Sequence, residues 1–195
     1  MRGALLGIGA ALLSGCSQPV VTEPSDMYFE RLSALCGAGA FGGELVSTDE
    51  VDDGFRAEAV IMGPAVCADQ TVRIPLAVGD DRSRTWVVTR TADGVRLKHD
   101  HRHEDGSEDT LTQYGGDSAA ASVQRHEFPV DAETRALFTR EGIEVSNQNT
   151  WAIEIRPEAQ FAYEMSRPER FFRIEFDLTA PVPAPPLPWG VEPIE

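Results

Sequence analysis

From Phe41 onward the apolar side chains recur at every second residue. In TVRIPLAV, Val72, Ile74, Leu76 and Val78 share one face. In TWAIEIRP, Trp151, Ile153 and Ile155 face one way and Ala152, Glu154 and Arg156 the other. RFFRIEFDL alternates Phe172, Ile174, Phe176 and Leu178 with Phe171, Arg173, Glu175 and Asp177. A period of two with one dry and one wet face is the pattern of antiparallel strands. Further strands are expected over Gly43–Ser47, Phe55–Met62, Thr85–Thr91, Val95–His103, Asp109–Tyr114, Ser122–Val130 and Gln160–Met165. Ten such strands with frequent turns predict a mainly-β domain, an antiparallel barrel or a sandwich.

Two stretches break this period. Ser25 is placed to cap a helix over Asp26–Cys36 that Gly37 stops, with Met27, Leu32, Leu35 and Cys36 toward the core. Asp131 caps a second, short helix over Ala132–Glu141, stopped by Gly142. At the far end, APVPAPPLPWG carries Pro181, Pro183, Pro185, Pro186 and Pro188, which rule out a helix or a central strand. Polyproline II geometry is expected there, as a strap over the domain or as a recognition segment.

The N-terminus reads differently. Arg2 precedes an apolar run from Gly3 to Leu13, too short for a permanent membrane helix and laid out as an export signal. Leu13-Ser14-Gly15-Cys16 then resembles the lipobox of bacterial lipoproteins. That resemblance implies cleavage before Cys16 and lipidation of its thiol, which anchors the chain stably. Residue 17 is Ser rather than Asp, which in that family implies the outer membrane, facing the periplasm. The resulting division is a signal peptide over 1–15, a lipidated tether over 16–25, one mainly-β domain over 26–179 and a Pro-rich tail over 180–195. With Cys16 carrying lipid, Cys36 and Cys67 are left in an oxidising envelope, where a disulfide is expected. The stretches DRSRTWVVTRT, LKHDHRHEDGSED and EFDLTAPVPAPPLPWG are also similar to a group of secreted or lipidated proteobacterial proteins, which again implies an envelope setting.

Charge narrows the partners. The formal net charge of −15 disfavours nucleic acid and anionic lipid surfaces. No CxxC redox pair, phosphate loop or nucleophile elbow is present in the sequence.

Chemistry concentrates in KHDHRHEDGSED, Lys98–Asp109. An Asp93-Gly94 hairpin turn would set Arg90 opposite Leu97, Val88 opposite His99 and Trp86 opposite His101. A second turn at Asp105-Gly106 or Gly106-Ser107 brings Thr110 and Thr112, or Thr112 and Tyr114, opposite His101 and His99. Either register gives one face with Trp86, Val88, Leu97, His99, His101, His103, Thr110, Thr112 and Tyr114, and an outward face that includes Lys98, Asp100 and Arg102. Three readings of the imidazoles stand open. They line a pocket for a small organic ligand, as in barrels of the lipocalin or calycin kind, through Trp86, Val88, His99, His101, His103, Thr112 and Tyr114. They are hydrogen-bonded cross-strand partners. Or they hold a divalent metal: His101, His103, Glu108 and Gly115 follow the spacing of the first cupin motif, a resemblance that implies ligation by His101, His103 and Glu108, with His126 as a fourth ligand. The functions in view are a non-enzymatic small-molecule binder or support protein at the membrane periphery, a cupin-like divalent-metal-binding protein or metalloenzyme, and a structural adaptor that docks an envelope partner through its proline tail.

Overall fold

The computed structural model describes residues 23–47 and 49–192. The signal peptide, Cys16 and most of the tether lie outside these residues. Helix α1 spans Pro24–Ser33, and strand β1 spans Ala40–Leu45. A 3₁₀ turn at Glu50–Asp52 runs into α2, Asp53–Ala57. Strands β2 (Val60–Met62), β3 (Val66–Ala68), β4 (Thr71–Val78), β5 (Asp81–Thr91) and β6 (Gly94–His101) follow. Next come β7 (Tyr114–Asp117), β8 (Ala120–Ala121), β9 (Arg125–Pro129) and α3 (Ala132–Arg140). A 3₁₀ turn at Glu144–Gln148 leads to β10 (Thr150–Arg156), β11 (Gln160–Arg167) and β12 (Arg170–Val182).

All the strands join one antiparallel sheet in the order β7-β6-β5-β4-β2-β1-β12-β11-β10-β9-β8, with β3 added on β4. The sheet curls into a nearly closed barrel, so the barrel alternative holds over an open sandwich. Its ends meet where the Asp131 N–H donates to the Gly115 carbonyl at 3.0 Å. Gly116 permits that closure, because a Cβ there would overlap the Pro129 carbonyl. Opposite the seam, β1 carries an irregularity between Phe41 and Gly43. A Cβ on Gly43 would collide with the Phe176 ring, so glycine lets this aromatic fill the interior.

The barrel has a sealed half and an open half. In the sealed half, Val72, Ile74, Val88, Leu97, Ile153, Phe161, Ile174 and Phe176 are at most 1% exposed. Each such side chain contributes about 1.5–3 kcal/mol by leaving water. Helix α1 stoppers this end. Its Tyr28 hydroxyl donates to the Ile153 carbonyl at 3.2 Å, and its ring stacks on His126 at 3.9 Å. Asp26 pairs with Arg90 at 3.2 Å while that guanidinium lies 4.7 Å over Phe29. The Cys36–Cys67 disulfide forms, ties the exit of α1 to β3, and spans a Cα–Cα distance of 5.9 Å.

Several local expectations are revised. Helix α1 opens with Pro24 in its first turn and has no Ser25 cap, and Tyr28 and Phe29 rather than Met27 face the core. A shift of the helical face by one residue buries the larger aromatic surface. The stretch Phe55–Met62 is half α2 and half β2. Residues 180–182 belong to β12, where Pro181 pairs with Phe41 beyond the last β11 partner, Asp177, so no ladder bond is forfeited on that side. The remaining tail is a strap on the barrel wall: the Trp189 backbone N–H donates to the Arg82 carbonyl at 3.2 Å, and the Arg82 guanidinium to the Leu187 carbonyl at 2.7 Å.

Candidate functional site

Away from α1 the interior is not filled. A cavity of about 400 Å³ opens at the other end of the barrel, walled by Phe55, Trp86, Tyr114, Phe138, Trp151, Tyr163 and Phe172 with Leu76, Leu111, Ile143 and Met165 between them. Strands β6, β11 and β12 send alternate residues into it, His99 and His101, Tyr163 and Met165, and Arg170 and Phe172, while β5 adds Arg84 to Trp86 and β10 adds Trp151. Segments 49–57, 109–111 and 138–149 form its lip.

The β5–β6 ladder pairs Trp86 with His99, Arg84 with His101 and Val88 with Leu97. The turn is therefore Ala92-Asp93, and the register differs from the expected one by two residues. The positive φ of the hairpin falls on Gly94, at 144°, after the turn rather than inside it. Because side chains alternate with period two, a slip of two leaves every residue on its expected face. On the next ladder His99 faces Tyr114, as the later of the two expected turns requires.

That ladder stops early. Between His101 and Tyr114 the chain makes an excursion, touching β-geometry only at the Arg102–Glu108 bridge, and Gln113 takes φ 56° to re-enter the sheet. Asp109–Gln113 is thus loop, and only Tyr114 of the expected strand joins the sheet, as the first residue of β7. The expected pocket set divides accordingly. Trp86, His99, His101 and Tyr114 line the cavity. Val88 is in the sealed core, and the Thr112 hydroxyl accepts the His101 backbone N–H at 2.9 Å. His103 stands outside, its side chain 56% exposed.

The metal set is not assembled. Glu108 pairs with Arg102 at 3.2 Å, and His103 lies 4.0 Å from Asp109. His101 binds the Tyr114 hydroxyl through Nε2 at 3.0 Å. His126 sits on Tyr28 at the sealed end, because its ladder partner is Ile153, two residues beyond cavity-lining Trp151. Among the described residues no three His, Cys, Asp or Glu side chains converge to hold an ion. Asp100 also departs from expectation: it is buried, bonded by Arg73 and by Arg102 at 2.9 Å. Its side of the wall is covered by these guanidinium stems and by Gly190 of the strap, packed against Gly106.

The two imidazoles in the cavity wall have defined roles. A carbonyl can only accept, so His99 Nδ1–H donates to the Tyr114 carbonyl at 3.0 Å. Its Nε2 then accepts the Tyr163 hydroxyl at 2.8 Å. Burial pushes His99 down to about 3, and burial with the Arg84 charge pushes His101 down to about 4. Burial raises both tyrosines. All four groups are neutral between pH 5 and 8. His99 also stacks on Tyr114 at 4.5 Å, and Trp86 on Tyr163 at 4.5 Å, so the wall is a rigid set of rings.

Two arginines stand in this wall toward the lip. Arg170 is held by buried Asp52 at 2.8 Å and reaches Asp49 at 3.4 Å. Arg84 pairs with Asp81 and lies 5.7 Å over Phe55. Sequence reasoning missed these residues as well as Trp151, Tyr163 and Phe172. The aromatic members were within reach: Phe161, Tyr163 and Met165 alternate in one strand, as do Trp151 and Ile153. Arg84 needed the true register, and Asp52 with Arg170 needed a contact across 118 positions of the chain. Searches of family models, of curated proteins and of solved structures find nothing that matches this chain.

Proposed function

We propose that this protein binds a small, largely apolar organic molecule in the open end of its barrel, and that it works at the membrane periphery as a lipoprotein held through Cys16. One observation carries the first part: the unfilled aromatic cavity of about 400 Å³. Protein interiors pack to crystal-like density, and space left unfilled costs stability. Here the half of the barrel below Trp86 is closely packed while the half above it stays open, with His99 bonded to Tyr163 and His101 to Tyr114 in its wall. Small-molecule sites share this make-up: pre-formed, mostly apolar and aromatic, with a few fixed polar groups. The Leu13–Cys16 box and its apolar leader support the second part.

Fluorescence enhancement of the probe N-phenyl-1-naphthylamine tests the binding. The purified chain is expected to enhance it saturably, and Met165→Trp, which fills the cavity without orphaning a polar partner, is expected to abolish the enhancement while cooperative unfolding persists. Equal enhancement by both proteins, or none by the wild type, overturns the reading. For the anchor, Cys16→Ala is expected to move the protein from the membrane fraction to the released fraction; unchanged membrane association refutes it.

A further inference from the structure

Four ionised side chains reach the cavity: Asp52, Arg170, Asp109 and Arg84. Three of them are occupied or peripheral. Asp52 and Arg170 neutralise each other in a buried pair, and the Ser47 hydroxyl completes the carboxylate at 3.3 Å. Asp109 belongs to the lip: its Oδ1 accepts the Leu111 backbone N–H at 2.8 Å, and its side chain is 39% exposed.

Arg84 is placed differently. The ladder sets it directly opposite His101 on the inner face, one alternation above Trp86. A guanidinium carries five N–H donors. Among the described residues only Nη1 of Arg84 has an acceptor, the half-exposed Asp81. The uncharged polar lining adds the hydroxyls of Thr85 and Ser146, which can give or take a hydrogen bond, and the amide of Asn149. Asn149 accepts from Arg167 through Oδ1 at 3.1 Å, which leaves its Nδ2 free. His101 Nε2 and the Tyr114 hydroxyl are engaged with each other at 3.0 Å.

We infer that the molecule taken up is an aromatic carboxylate, its ring system against Trp86 and Tyr163 and its carboxylate on the free edge of the Arg84 guanidinium beside His101. This rests on the binding reading above and adds the chemical class. The Nε–H and Nη2 donors of Arg84, outside its pair with Asp81, have no acceptor of their own, a carboxylate supplies two, and a guanidinium meets it as a planar fork. A cationic ligand would bring its charge against Arg84.

Calorimetric titration of the purified full chain with three probes of one shape tests this: 2-naphthylacetate, 2-naphthylacetamide and 2-(2-naphthyl)ethylamine. The acid is expected to bind at least about tenfold tighter than the amide, the amine weakest, since a charge-assisted hydrogen bond exceeds a neutral one by that margin. Arg84→Gln should bring the acid to within about twofold of the amide, through a loss of acid affinity larger than any loss for the amide. If Arg84→Gln does not fold, Arg84→Lys decides: a point charge without the fork should cut the preference at least about threefold. Equal binding of acid and amide by the wild type, a preference that survives both substitutions, or tightest binding of the amine overturns the carboxylate and leaves the binding reading standing. Failure of all three probes overturns the binding reading, and this inference with it.

Discussion

Acidification should loosen this barrel well before its carboxylates titrate. His99 and His101 are held down to about 3 and about 4 in the fold, whereas an unfolded histidine titrates near 6.5. Both folded values are depressed, so the unfolded chain binds the extra protons. The stability these groups represent is present in full above about pH 6.5 and drains as the pH falls toward the folded values. Each drains at about 1.4 kcal/mol per pH unit, so at pH 4.5 each has withdrawn roughly 2–3 kcal/mol, and the two together on the order of 5 kcal/mol. His126, lowered by burial without a ring hydrogen bond, acts in the same direction. Such a loss rivals the whole stability of an ordinary domain. Urea unfolding at pH 7.5 and pH 4.5 measures it. His99→Gln is the decisive variant, because its amide can donate to the Tyr114 carbonyl and accept from Tyr163 without titrating. It should lower the pH dependence by about half. Equal wild-type stability at the two pH values, or a pH dependence untouched by His99→Gln, would refute the placement of this imidazole.

Other outcomes follow from the same packing. Arg170→Met leaves Asp52 buried and unpaired, so it should destabilise by about 3–5 kcal/mol in thermal unfolding; Arg170→Met with Asp52→Leu should recover most of that loss. Replacing Cys36 and Cys67 by Ser together should cost roughly 3–4 kcal/mol in the chain-entropy model for a separation of 31 residues, read as a lower urea midpoint. Tyr163→Phe leaves His99 Nε2 without its donor, and a loss of about 1–3 kcal/mol in chemical unfolding is expected.

Local periodicity made much of this legible. Alternation in TVRIPLAV, TWAIEIRP and RFFRIEFDL marks β4, β10 and β12, because burial on one face is a period-two property of each strand by itself. The same parity put Trp86, His99, His101 and Tyr114 on one wall even though the hairpin register slipped by two. His103 failed because alternation continues in the letters after the ladder has ended: Arg102–Gln113 is polar enough to run as a free excursion. Asp100 failed because its outward side is covered by the C-terminal strap, which approaches from far along the chain. The sealed and open halves could not be read at all, since α1 stoppers the barrel through Tyr28 and His126 and the lip closes through Asp52 and Arg170, all contacts between distant segments.

The chain has three tryptophans, and their places discriminate between sites: Trp86 and Trp151 wall the cavity, while Trp189 lies on the outer strap. Titration of the ¹⁵N-labelled protein with N-phenyl-1-naphthylamine, followed through the indole N–H resonances, therefore tests the open cup most directly. Saturable shifts of the Trp86 and Trp151 signals with Trp189 unmoved are predicted. Shifts confined to Trp189, or no shift of any indole while the probe is bound, would contradict it.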